Sequence, residues 1–155
     1  METANQTNKK PSVHKILAHS YATYFLFVLV GVSLDLIFSL KFFGTPALVS
    51  LGVLFLIAGT FLIVWAQKTS RSLKKEIISK ETFIHGPYRY TRSPTHWGLF
   101  LLVFGFGVVS NAFFVVLSSV IAFIVTKLIF LNKEEEILSD KYGEPYLDYK
   151  KSVRI

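Results

Sequence analysis

The chain has 155 residues, of which 52% are hydrophobic, 15% aromatic and only 17% charged, with no cysteine and a formal net charge of +7. Soluble domains carry roughly a quarter charged residues, so this composition excludes an ordinary soluble protein and leaves a membrane protein with room for one bundle of a few helices. Disulfides, thiolate metal sites and thiol nucleophiles are excluded too, and the basic residues flank apolar runs instead of forming a nucleic-acid-binding patch, so no nucleic-acid partner is expected and anionic lipid headgroups are the natural counter-charge.

Residues 1–15 are polar, with Lys9, Lys10 and Pro11, and lack the apolar core and cleavage site of a signal peptide, so they read as a disordered or interfacial lead-in. Residues 16–40 are almost wholly apolar, and about 20 such residues cross a bilayer. This is the first predicted span. Asp35 lies inside it, and an ionisable residue in a span is a functional candidate. Its place within two turns of the outer end also lets it reach water or pair with Lys41. Gly44, Thr45 and Pro46 make the turn into a second span over 47–66. In that span Gly52 and Gly59 share a face that another helix can approach closely, and Trp65 marks the interface. Between 67 and 81, Lys68, Arg71, Lys74, Lys75 and Lys80 outnumber Glu76 and Glu81, while Leu73, Ile77 and Ile78 supply an apolar side. That pattern predicts a basic helix lying on the surface.

The stretch 85–98 is polar and irregular. It holds His85, Tyr88, Tyr90, Arg92, His96 and Trp97 among two prolines and two glycines, which prevent one continuous helix and let side chains converge from several directions. Residues 96–131 are apolar again, and one helix of that length would exceed about 50 Å against a hydrocarbon core of ~30 Å. The run must turn back, and Ser110-Asn111 is the natural place. The third span, 96–109, is then short, glycine-bearing at Gly98, Gly105 and Gly107, and barely crosses or tucks against its neighbours. The predicted fold class is all-α: a polytopic membrane helix bundle of about four spans over 16–131, with a motif loop at 67–95 and a tight hairpin between spans three and four.

The tail, 132–155, opens with Glu134, Glu135 and Glu136. If span four continues as a helix, Lys127, Leu131, Glu134, Glu135, Leu138 and Tyr142 fall on one side, looking toward the bundle and the loop. Gly143 then ends the helix, with Pro145 just beyond. Lys9, Lys10 and Lys15 precede span one. Seven basic residues separate spans two and three, five follow span four, and the opposite connections offer only Lys41. Both termini and the motif loop are therefore expected in the cytoplasm, with the cell membrane as the site.

The loop and the glutamates share that surface. A ligand with an amino-acid end and an aromatic base would use carboxylates for its amine, Arg92 for its carboxylate, and Tyr88, Tyr90 or Trp97 for stacking. S-adenosylmethionine has these parts, and methyl transfer from its sulfonium needs positioning and desolvation, with a base where the acceptor carries a proton, but no metal. His85 and His96 lack a third matching ligand, so no metal site is predicted. The plain alternatives are a positive connecting loop and a solvated acidic helix face.

At these residues the chain resembles the isoprenylcysteine carboxyl methyltransferase and phospholipid N-methyltransferase families. Their motif has Gly-x-Tyr followed by Arg-His-Pro-x-Tyr-x-Gly, here Gly86, Tyr88, Arg92, Ser93, Pro94, His96 and Gly98. Their closing pattern matches Glu134, Glu135, Leu138, Tyr142-Gly143, Tyr146 and Tyr149, so the likeness covers roughly the last two thirds of the chain. The resemblance implies an integral membrane methyltransferase that uses S-adenosylmethionine on a lipid or lipid-modified acceptor, by carboxyl O-methyl or amine N-methyl transfer. It implies cofactor-binding roles for His85, Gly86, Tyr88, Arg92, Pro94, His96, Glu134 and Glu135, with Arg92 and Glu135 nearest the chemistry and the segment 132–155 closing the pocket. The acceptor would enter from the bilayer between helices. Ser93 stands where these families have histidine, and His96 where they have tyrosine, so an imidazole is displaced by one helical turn. A non-catalytic protein keeping the scaffold, or a small NADPH-dependent reductase with a similar His-Pro-x-Tyr element, are the competing readings.

Overall fold

The computed structural model describes residues 13–41, 45–72 and 84–153, and all regular structure among them is helical. The lead-in at 1–12, the turn at 42–44, most of the predicted surface helix at 73–83, and residues 154–155 lie outside the described residues.

Among the described residues, three helical runs are long and apolar enough to cross a membrane. They are α1 (Val13–Phe38), α2 (Pro46–Ser72) and a continuous run Phe113–Tyr142. Between the last two lies α3 (Pro94–Val109), also apolar but only 16 residues long, about 24 Å at ~1.5 Å per residue and short of a full crossing. Large apolar side chains such as Phe25, Leu36, Ile57 and Phe61 are more than half exposed along α1 and α2, the pattern of helices whose outer face meets lipid. The chain is a membrane helix bundle.

Local chemistry sets the boundaries. Pro46 and Pro94 open α2 and α3, where a missing N–H costs nothing and the ring's φ already suits a helix. The hairpin between α3 and α4 (Phe113–Thr126) turns at Ser110-Asn111, as predicted. Asn111 takes a φ of +53° there, a left-handed conformation that asparagine tolerates better than most residues, and Ala112 N–H closes the turn on the Gly107 carbonyl. By contrast, α2 does not stop at 66. It runs six residues further, because Gln67, Lys68 and Arg71 are good helix formers and no breaker precedes Ser72.

Glycine pairs hold α2 against α3. A Cβ on Gly59 would lie 2.7 Å from the Gly98 carbonyl oxygen, and one on Gly105 would lie 2.8 Å from that of Gly52. The two contacts, 52 against 105 and 59 against 98, register two antiparallel helices whose backbones touch, so the glycine face of span two packs within one chain. On the other side α1 packs on α4, with Tyr24, Val103, Val115 and Ala122 forming a buried cluster.

Asp35 neither reaches for Lys41 nor sits free at the membrane surface. Its carboxylate accepts hydrogen bonds from the backbone N–H groups of Phe114 (3.1 Å) and Val115 (2.9 Å). A neighbouring helix thus caps the first turn of α4, whose own Ala112 has no side chain to do so. Uncapped amides at this depth would have no water to turn to.

The run after α4 contains a π-helical turn, Lys127–Leu131, before α5 (Asn132–Tyr142). Such a turn absorbs about one extra residue. It corrects the predicted helical face: Lys127 is exposed, while Glu134, Glu135, Leu138 and Tyr142 point inward, because the residues on either side of the turn differ in register. Gly143, at φ +64°, ends α5 as expected. A further helix follows, α6 (Glu144–Ser152), which buries Tyr146 and Tyr149. With Val153 these pack against Ile84, Tyr88, Leu138 and Tyr142.

Candidate active site

The loop between α2 and α3 is anchored before it reaches any functional side chain. Gly86 opens a 3-10 turn, Gly86–Arg89, with φ +57°, and a Cβ there would meet Thr69 Oγ1 at 2.5 Å and Trp65 Nε1 at 3.2 Å. Only glycine combines that backbone angle with so close an approach to the end of α2. Pro87 and Pro94 are fully buried. The Tyr149 hydroxyl donates to the Tyr88 carbonyl at 2.7 Å, tying α6 across the same turn.

Between these anchors Arg92 meets α5. Its Nη1 lies 2.6 Å from Glu135 Oε1, and the Lys150 ammonium on α6 lies 2.7 Å from Glu135 Oε2. Glu135 is 6% exposed, so this is a carboxylate withdrawn from water and compensated by two cations. The Arg92 contact is close but not aligned as a hydrogen bond, and Oε1 has no aligned donor among the described residues. The carboxylate therefore retains capacity to accept from a ligand.

Beside it a second polar set links three helices. Glu134 Oε2 is 3.3 Å from His96 Nε2, and His96 Nδ1 is 3.2 Å from the Ser20 hydroxyl on α1. His96 is 5% exposed and Ser20 fully buried. The displaced imidazole thus finds a carboxylate from its new position in the first turn of α3. Around both sets the phenols are held protonated. Burial, reinforced by the charge of Glu134, pushes the Tyr88 hydroxyl above its ordinary value against hydrogen bonds to Ser70 and Thr95. Burial likewise raises Tyr146, with the Glu135 charge adding to it, and Tyr149.

Tyr88, Arg92, His96, Glu134 and Glu135 are brought together, with Gly86 and Pro94 shaping the backbone under them. His85 is exposed ahead of the turn, and no described residue pairs with its ring. The stacking candidates diverge. Tyr90 is 71% exposed, whereas Trp97 turns into the bundle, 4.7 Å from Phe123 and edge-on to Phe100. Sequence reasoning passed over Ser20 and Lys150. The signals were present: a serine inside an apolar span, and a lysine on the helical face that Tyr146, Tyr149 and Val153 define.

A cavity of about 450 Å3 opens between α1 and α5. Ile16, Phe130 and Ile137 give it an apolar lining, with Lys15, Lys133 and Glu136 among its charged residues. That composition suits an amphiphile with a polar head.

In comparisons with known proteins, a protein-family profile described as phospholipid methyltransferase matches residues 47–145. Neither the curated proteins nor the solved structures compared yield a match.

Proposed function

The chain belongs to the phospholipid methyltransferase family, a family of membrane methyltransferases, and from that premise we propose that it transfers a methyl group from S-adenosylmethionine to a lipid acceptor at the cytoplasmic face of the cell membrane. The observation that carries this reading is the meeting of Arg92 with Glu135 and of His96 with Glu134 at one end of the bundle, on elements far apart in sequence.

The residues fit the cofactor's amino-acid end. Glu135 would accept from its α-ammonium through a carboxylate already withdrawn from water, and Arg92 would hold its α-carboxylate with the planar fork suited to that group. Tyr88, neutral and largely buried, offers a phenol at the same wall. When bound, S-adenosylmethionine supplies an electrophilic methyl on a sulfonium. The protein's task is then positioning and exclusion of water, which account for a large part of the rate in reactions between two bound partners. Glu134 is the group for the acceptor's proton: its carboxylate is steadied by His96 Nε2, whose other nitrogen is fixed by Ser20. An amine acceptor must lose a proton to present its lone pair, and a carboxylate at a partly dry interface can take it.

The cavity between α1 and α5 supports a lipid acceptor. Its mixed lining fits a phospholipid headgroup above apolar chains, and its Lys133 is the immediate neighbour of Glu134. The excess of lysine and arginine at this end of the helices supports the cytoplasmic orientation. The test is transfer of labelled methyl from S-adenosylmethionine into the lipid fraction of nanodiscs containing the purified protein and mixed phospholipids. Label in a phospholipid, lost in Glu134→Gln, is expected. A folded protein that labels no lipid contradicts the proposal.

A further inference from the structure

The Arg92–Glu135–Lys150 set contains one more positive charge than negative, and its two cations are held unequally. Arg92 is 17% exposed at the side chain, whereas Lys150 is 44% exposed and reaches the same buried carboxylate from α6. A lysine ammonium is a compact, strongly hydrated charge on a flexible stem, and at this exposure it returns to water at little cost. A guanidinium buried against the loop does not. The backbone need not move with it: α6 stays docked through Tyr146, Tyr149 and Val153 and through the Tyr149 bond to the Tyr88 carbonyl.

We infer that Lys150 is a resident counter-ion of Glu135 that an incoming ligand's α-ammonium displaces, so that Lys150 sets how strongly the pocket favours ligands bearing an amino-acid end. The inference rests on the reading of Glu135 as the ammonium acceptor, and it assigns a specificity-determining role to a residue outside the family motif. Before ligand arrives, Lys150 offsets a charge that would otherwise lie buried with Arg92 alone. As the ligand binds, one ammonium replaces another at Glu135 Oε2, Arg92 pairs with the ligand's carboxylate, and Lys150 moves to solvent. No bond is made or broken, and the charge at Glu135 is unchanged by the exchange. A nucleoside without the amino-acid end has nothing with which to displace Lys150 and gains nothing from its removal.

The test is calorimetric titration of S-adenosylhomocysteine and of 5′-methylthioadenosine, the same nucleoside without the amino-acid end, into wild type, Lys150→Gln and Lys150→Arg in lipid nanodiscs. Lys150→Gln is expected to bind S-adenosylhomocysteine about two- to fivefold tighter, the size of a half-exposed ion pair that no longer has to be broken. Lys150→Arg, whose fork is harder to displace, should bind it more weakly. Methylthioadenosine affinity should be the same in all three. Unchanged or weaker S-adenosylhomocysteine binding by Lys150→Gln would overturn the inference, as would a parallel change in both ligands, the signature of an undocked α6. If wild type binds no S-adenosylhomocysteine at all, the proposed function falls and this inference with it. If wild type binds but Lys150→Gln gains nothing, only the inference falls.

Discussion

Thr126 and Glu134 face inward from the same side of one helical run although eight residues separate them. In a regular α-helix that spacing would set them about 80° apart, and Glu135 would point almost directly away from Thr126. The π turn at Lys127–Leu131 removes about one residue's rotation, which returns Glu134 to the buried face and brings Glu135 within reach of Arg92. Inserting one alanine after Leu131 should turn both glutamates by about 100°, break the Arg92 and His96 contacts, and abolish ligand binding. Deleting exposed Ile129 should relax the turn to α-helix and preserve both. Titration of S-adenosylhomocysteine into the two variants checks the contrast.

The glycine register between α2 and α3 positions the loop that carries Arg92 and the first turn of α3 that carries His96. Gly59→Ala places a methyl group 2.7 Å from the Gly98 carbonyl, where backbone, not a flexible side chain, must yield. A loss of about 1–3 kcal/mol is expected, read as a lower thermal midpoint in detergent, together with weaker ligand binding because Gly98 sits in the first turns of α3.

Asp35 is expected to act on stability and not on ligand affinity, because its carboxylate is engaged in capping α4. Asp35→Ala removes the acceptor of two amide hydrogen bonds and should cost about 1–3 kcal/mol. Asp35→Asn, which keeps one neutral acceptor oxygen, should cost less. Both should bind S-adenosylhomocysteine as wild type does once folded. A large affinity loss in Asp35→Asn would move this residue into the functional set.

Alkaline stability follows from the buried phenols. Tyr149 and Tyr146 have their folded-state ionisation raised above 10.0, chiefly by burial. Below about pH 10 both folded and unfolded states keep the proton, so the contribution is fully present. Above it the unfolded chain ionises first and stability falls as the pH climbs toward the folded value. Resistance to chemical denaturation should therefore be insensitive to these groups near neutrality and fall from about pH 10 upward. Tyr149→Phe should lower stability by about 1–3 kcal/mol at neutral pH, by leaving the Tyr88 carbonyl without its donor, and should make the alkaline decline shallower.

The apolar periodicity and the turn chemistry made much of the fold legible. Ser110-Asn111 and Gly143 end their helices where their backbone freedom requires, and Gly52 and Gly59 marked the face on which α3 packs. What stayed hidden depends on contacts between distant segments or on register. Nothing local distinguishes an Asp35 that caps another helix from one that meets water. A π turn inside Lys127–Leu131 has no composition of its own, so the helical face read from spacing carried Lys127 inward by mistake. At the site, Arg92 and Glu135 could be named from their motifs, but Lys150 and Ser20 become partners only once α6 and α1 are folded against them. Trp97 was indistinguishable in sequence from a stacking platform until Phe123 and Phe100 were seen to enclose it.

The central claim is that Glu135, held by Arg92, receives the amino-acid end of S-adenosylmethionine. Its most direct test is the affinity of S-adenosylhomocysteine for wild type and Glu135→Gln in nanodiscs, with NADPH titrated in parallel. Saturable binding of S-adenosylhomocysteine but not NADPH, weakened in Glu135→Gln by a charged hydrogen bond of about 1.5–3 kcal/mol, is the predicted result. Equal affinity in the two proteins would remove Glu135 from the pocket, and NADPH binding in place of S-adenosylhomocysteine would contradict the account as a whole.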